Sequence, residues 1–256
     1  MRQYLLFVML FLAGHTGFAQ KTVTSQGLVW YYYVQNLKIN DRFSVQSDIQ
    51  ERHFIGPAKQ SQFIVRSNFK TLIASNWDVG VGLAFSLSNT DPTVAYSLET
   101  PEIRPHIEFN NKQKLKHVFI SHRYRLETRV YHNTSGRDLA KGFSFGNMRF
   151  RYQFGVDFLL NKPKDEKNAW KLRLADEVML NFGSKIKYNL FDQNRAYVTL
   201  QYAPIQVVAF EIGYLHLFQQ RAAGDKYFSR HILRLGIVNN INIKSKKEKT
   251  DPNSIK

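Results

Sequence analysis

The chain has 256 residues, no cysteine and a formal net charge of +16. Without cysteine it has no disulfide framework, no thiolate zinc site and no cysteine nucleophile. So basic a chain raises nucleic acid, anionic membrane surfaces and acidic polymers as partners, but its Arg and Lys alternate with apolar residues inside strand-like runs instead of forming one patch, which argues against nucleic acid.

Met1 to Ala19, MRQYLLFVMLFLAGHTGFA, read as a cleaved signal peptide. Arg2 is a short basic head, Tyr4 to Ala13 an apolar stretch, and Ala19 a small residue at the cleavage point. The stretch is shorter than the roughly 20 residues a spanning helix needs. Gln20 would begin the mature chain, and no second long apolar segment follows.

From there the chain is a succession of runs with a period of two. Runs are expected near 24–36, 42–53, 62–74, 77–87 and 101–110. In Val118 to Tyr131, Val118, Ile120, His122, Tyr124, Leu126 and Val130 oppose Ser121, Arg123, Arg125, Glu127 and Arg129. In Ser144 to Leu160, Met148, Phe150, Tyr152, Phe154, Val156 and Phe158 oppose Asn147, Arg149, Arg151, Gln153 and Asp157. Trp170 to Phe182 sets Leu172, Leu174, Val178 and Leu180 against Lys171, Arg173, Glu177 and Asn181, and Asp176 breaks its apolar face, as at a membrane edge. Further runs fall near 191–203, 207–218 and 230–243. Alternation places the two sets on opposite faces of a strand.

Many runs are longer than the usual strand of about 5–6 residues and match the roughly 9–11 of a membrane-crossing strand. Their apolar faces are aromatic near the ends. Short links (Leu37–Asp41, Ala74–Asn76, Asn111–Lys114, Ala203–Gln206) alternate with longer ones (Phe54–Ser61, Ser88–Thr100, His132–Gly142, Gly183–Leu190, Gln219–Ser229). Asn161–Ala169 is longer than this alternation predicts. The expected fold is all-β: a single closed antiparallel up-and-down transmembrane barrel over residues 20–243. The runs number eleven, whereas single-chain bacterial barrels are normally even. About twelve strands are therefore expected, the extra one from Gln20–Gln26, with ten as the alternative. A soluble periplasmic ligand-binding barrel or sandwich also alternates, but with its charged face outward.

HRYRLETR (122–129), DEVMLNFG (176–183), FDQNRAYVTLQY (191–202), EIGYLHLFQQ (211–220) and HILRLGIVNN (231–240) resemble, in order and spacing, domain-of-unknown-function family 2490. That resemblance implies an uncharacterised outer-membrane β-barrel protein, mainly of Bacteroidota. It implies no activity, so no catalytic residue is carried over. Lys244 to Lys256 form a basic polar tail, read as a disordered periplasmic segment, where many barrels end on an aromatic residue.

If the apolar faces meet lipid, the charged faces line a lumen. Arg52, Arg104, Glu108, Arg123, Arg125, Glu127, Arg129, Arg149, Arg151, Arg173, Glu177, Arg195 and Glu211 are its expected charge network. One reading is structural: buried charges are normally paired. The other starts from the excess of cations, which would attract small anions or acidic ligands. Outer-membrane lipid is the remaining expected partner.

An outer-membrane lipid-modifying enzyme is the alternative class. Its candidate groups are Ser121 beside His122, His132 with Ser135, and His231 near Ser229. Ser121 and His122 are adjacent in a strand and point to opposite faces. No GxSxG, no HExxH and no cofactor motif occurs, so neither a catalytic set nor a metal site is expected.

Overall fold

The computed structural model describes residues 21–89, 98–161 and 167–243. The expected signal peptide and the basic tail lie outside the described residues. Among the described residues eleven strands follow one another: β1 (Thr22–Lys38), β2 (Phe43–Phe54), β3 (Lys59–Ala74), β4 (Trp77–Ser88), β5 (Thr100–Leu115), β6 (Val118–Ser135), β7 (Asp138–Leu159), β8 (Ala169–Phe182), β9 (Phe191–Ile205), β10 (Val208–Gln220) and β11 (Lys226–Asn242). Each pairs with its neighbours in sequence, and the sheet closes into a barrel. The all-β barrel and its eleven alternating runs are thus as the sequence predicts.

The count of eleven is close to the twelve or so expected. Residues 22–26 add no separate strand; they begin β1, which pairs directly with β11. All other neighbours are antiparallel, but this seam is parallel, from Thr22 opposite Lys226 to Lys38 opposite Asn242. An up-and-down sheet with an odd number of strands closes only this way, because its first and last strands run in the same direction. The start of β1 therefore shares an end with the 221–225 loop, and the end of β11 shares the other with the tight turns 39–42, 75–76, 116–117 and 206–207.

Local chemistry sets these turns. Asn40 Oδ1 accepts hydrogen bonds from the backbone N–H groups of Arg42 (2.9 Å) and Phe43 (2.8 Å), an Asx turn. Lys116 adopts a left-handed φ of 46° in the two-residue β5–β6 connection, as tight hairpins require. The connection His132–Gly142, expected as a long loop, is mostly strand. β6 and β7 continue pairing to Ser135 opposite Asp138, with register shifts near Val130 and Thr134, around Gly136 at φ 60°.

The barrel is inside-out relative to a water-soluble one. Val81 (56% exposed), Leu83, Phe85, Ile107, Phe109, Phe210, Ile212 (52%), Leu233 and Ile237 point outward. Asp48, Arg52, Glu108, Arg125, Glu127, Arg149, Arg151 and Glu177 are buried inside. Outward aromatic pairs mark the tight-turn end: Phe43 on Phe69, Trp77 on Tyr124, and Trp170 on Tyr202. At the other end Phe218 stacks on Tyr227, their ring centres 5.0 Å apart.

Candidate functional site: the charged lumen

Alternation brings one face of every strand into the lumen, and small residues on β4 leave room there. Gly80, Gly82 and Ala84 occupy its inward positions, opposite Glu108, His106 and Arg104. A Cβ added at Gly82 would stand 2.6 Å from His106 Nε2. β3 and β5 therefore touch across β4: Asn68 donates to Glu108 Oε1 at 2.6 Å, and Lys70 Nζ approaches the same oxygen at 2.9 Å.

From Glu108 an ion-pair lattice runs around the barrel. Arg125 donates to Glu108 Oε2 through both Nε and Nη2. Its Nη1 stands 3.6 Å from Glu127 Oε1. Glu127 accepts from Arg149 at 2.6 Å and from Arg151 at 2.7 Å. Arg149 also reaches Asp192 at 3.0 Å. Arg151 holds Glu177 at 2.8 Å, and Glu177 accepts from Arg123 at 2.7 Å and the Tyr197 hydroxyl at 3.1 Å. Arg195 lies 3.8 Å from the same carboxylate. Glu108 and Glu177 are both 0% exposed. Carboxylates so buried persist only when charge-assisted hydrogen bonds replace water at their oxygens.

The remaining expected lumen residues stand apart from this lattice. Arg104 and Arg129 share Glu102, each at 2.5 Å. Arg173 pairs with Asp157 at 3.3 Å. Glu211 meets no arginine at bonding distance among the described residues; it accepts from the Tyr32 hydroxyl at 2.5 Å and from Gln201 at 2.6 Å. Among the described residues, buried Arg52 has only amide oxygens as hydrogen-bond partners, Gln62 at 2.7 Å and Gln50 at 2.6 Å, and its Nε has none.

Arg52 belongs to a cationic and aromatic sector on β1, β2, β9 and β11. Its guanidinium lies 3.7 Å from the Trp30 ring centre, and Arg195 lies 5.4 Å from the same ring. Arg234 sits over Tyr32 (4.5 Å) and Tyr197 (5.3 Å). Such contacts partly replace the water and counter-ions that a buried cation loses. Beside this sector Leu28, Trp30, Phe54, Leu215, Leu217 and Ile232 form an apolar cluster inside the barrel.

Sequence reasoning missed Glu102 and Asp192, which lie near the starts of their strands. For Glu102 the signal was the same alternation, since it shares a parity with Arg104 and Glu108; Asp192 is out of parity with Arg195 and is buried where the β8–β9 register shifts between Met179 and Leu180. Of the enzyme candidates, Ser121 and His122 part to opposite faces: Ser121 Oγ reaches the Gly155 carbonyl (3.4 Å), and His122 Nδ1 meets the Tyr152 hydroxyl (2.9 Å). His132 Nδ1 meets the Asn133 carbonyl at 3.0 Å. Ser229 bonds His216 Nε2 at 3.0 Å instead of His231, which pairs with the Tyr214 hydroxyl at 2.7 Å.

A closed barrel that turns Val, Leu, Ile and Phe outward and packs arginine–carboxylate pairs within defines a class: the inside-out β-barrel with a charged lumen. The chain belongs to the family described as Protein of unknown function (DUF2490), which matches residues 27–228. Among curated proteins none matches. A rhombohedral crystal form of the NanC porin is similar in fold, with 13% identity and a TM-score of 0.49, over 80% of this chain and 90% of that one.

Proposed function

We propose that the protein is a bacterial outer-membrane β-barrel, exported by a cleaved signal peptide, whose arginine-rich lumen is filled by its own side chains. Its role is then structural or exercised at its surface, and it is not a wide diffusion pore. The inverted polarity of the sheet supports the membrane assignment. In a hydrocarbon medium every backbone polar group needs an internal partner, and a closed sheet provides one without free edges. A soluble ligand-binding barrel would instead expose Ile212 and Val81 to water at great cost.

The observation that carries the filled lumen is the complete burial of Glu108, Glu177, Leu215 and Ile232 on inward faces. A water-filled channel would leave such side chains wetted. The cationic surplus adds a finer reading: Arg52, Arg195 and Arg234, held by aromatic rings, are suited to retain a small anion or an acidic group. Planar-bilayer recordings on the refolded chain test both. The expected result is no stable open-channel current, with rare flickers carried by anions. A steady ohmic conductance, or a preference for cations, contradicts the proposal.

A further inference from the structure

We propose that Ser229 and His216 form a nucleophile–base pair on the outer face of the barrel that cleaves fatty acyl esters of phosphorylated membrane lipids. The inference rests on the membrane reading above. Its starting point is a polar patch on a wall that is mostly apolar. Ser229 Oγ and His216 Nε2 are 3.0 Å apart across the β10–β11 pair. His216 lies directly opposite His231, their ring centres 5.4 Å apart, and His231 is fixed by the Tyr214 hydroxyl at 2.7 Å. Next in the same row come Ala196 and then Asp176, whose carboxylate accepts from Asn194 at 2.9 and 3.0 Å. Ionisable groups facing lipid are costly, so a cluster of them invites a chemical explanation.

The position suits an ester. The patch lies just inside the Phe218–Tyr227 stack, at the end of the barrel that carries the 221–225 loop. Aromatic rings of this kind mark the membrane interface, and lipid ester carbonyls lie at that depth. Beyond the stack, Lys21 sits over the Tyr227 ring at 5.5 Å, placed to meet phosphate.

The chemistry balances with water as the only co-reactant. Ser229 Oγ attacks the ester carbonyl carbon while His216 Nε2 takes its proton. The carbon–oxygen bond to the lipid alcohol then breaks, and His216 returns the proton to the departing oxygen. Water attacks the acyl-serine, His216 accepts its proton, and fatty acid leaves as Ser229 is reprotonated.

The test uses the full chain refolded in detergent. A fluorophosphonate probe is expected to label Ser229, with His216→Ala lowering the labelling rate about 100-fold or more. Fatty acid release is measured from micelles of phosphatidylglycerol and, separately, of lipid A; release from either supports the inference and names the lipid. Ser229→Ala is expected to abolish both signals. Both side chains face outward, so neither substitution removes lumen packing, and retained heat-dependent gel mobility checks folding. If the folded wild-type chain neither labels at Ser229 nor releases fatty acid from either lipid, or if Ser229→Ala leaves release unchanged, the inference is wrong. Retention in carbonate-washed membranes reports on the membrane reading separately.

Discussion

Arg151 on β7 and Glu177 on β8 stand diagonally across their strand pair, and three hydrogen bonds of 2.8 to 3.0 Å join them. Arg151 also spans to Glu127, so this arginine ties β6 to β8. Removing the acid leaves Arg151, Arg123 and Arg195 without their shared acceptor. Glu177→Gln is expected to lower unfolding stability by about 3–5 kcal/mol, the usual result of stranding a buried charge. Urea titration in lipid vesicles measures this. Combining it with Arg151→Met is expected to restore part of the loss, and strictly additive losses would count against the coupling.

Gly236 on β11 tests the packing of the opposite wall. A Cβ there would collide with the Tyr32 ring, whose hydroxyl is bonded to Glu211. Gly236→Val is expected to cost about 1–3 kcal/mol as the ring is displaced. Near-ultraviolet circular dichroism should change with it. A fully tolerated substitution would mean that this part of the lumen is open.

The parallel seam gives a clean chemical test, because the chain has no native cysteine. Val29 and Leu233 are register partners between β1 and β11. A Val29→Cys, Leu233→Cys double variant is expected to form an intramolecular disulfide on mild oxidation. A Val29→Cys, Leu126→Cys control, with β6 far from the seam, is expected to remain reduced. Failure of the first pair to link would refute the closure.

Much of this architecture was legible in the sequence because a strand's period is two. The run Arg123, Arg125, Glu127 and Arg129 declares one face without reference to any neighbour. What lay beyond reach was the relation between strands. The parity rule suggested a twelfth strand, whereas a parallel contact between β1 and β11 closes the barrel with eleven. Ser229 and His216 share a face only through the β10–β11 register, which no single strand encodes. Asp176 was visible as an interruption of an apolar face; its bond to Asn194 depends on how β8 meets β9.

The outward face predicts a further energetic signature. Ile212, half-exposed on β10, is expected to lose about 2–4 kcal/mol on replacement by Arg if it lies near the bilayer midplane. On a water-exposed surface the same change is usually within about 0.5 kcal/mol. Equilibrium unfolding in vesicles separates the two.

Site-directed spin labelling at Val81, Ile107 and Ile212 in reconstituted vesicles tests the central claim most directly. In a membrane-embedded inside-out barrel, all three labels collide more often with oxygen, which concentrates in lipid, than with a water-soluble nickel complex. Greater accessibility to the nickel complex at these positions would contradict the assignment of this face to lipid.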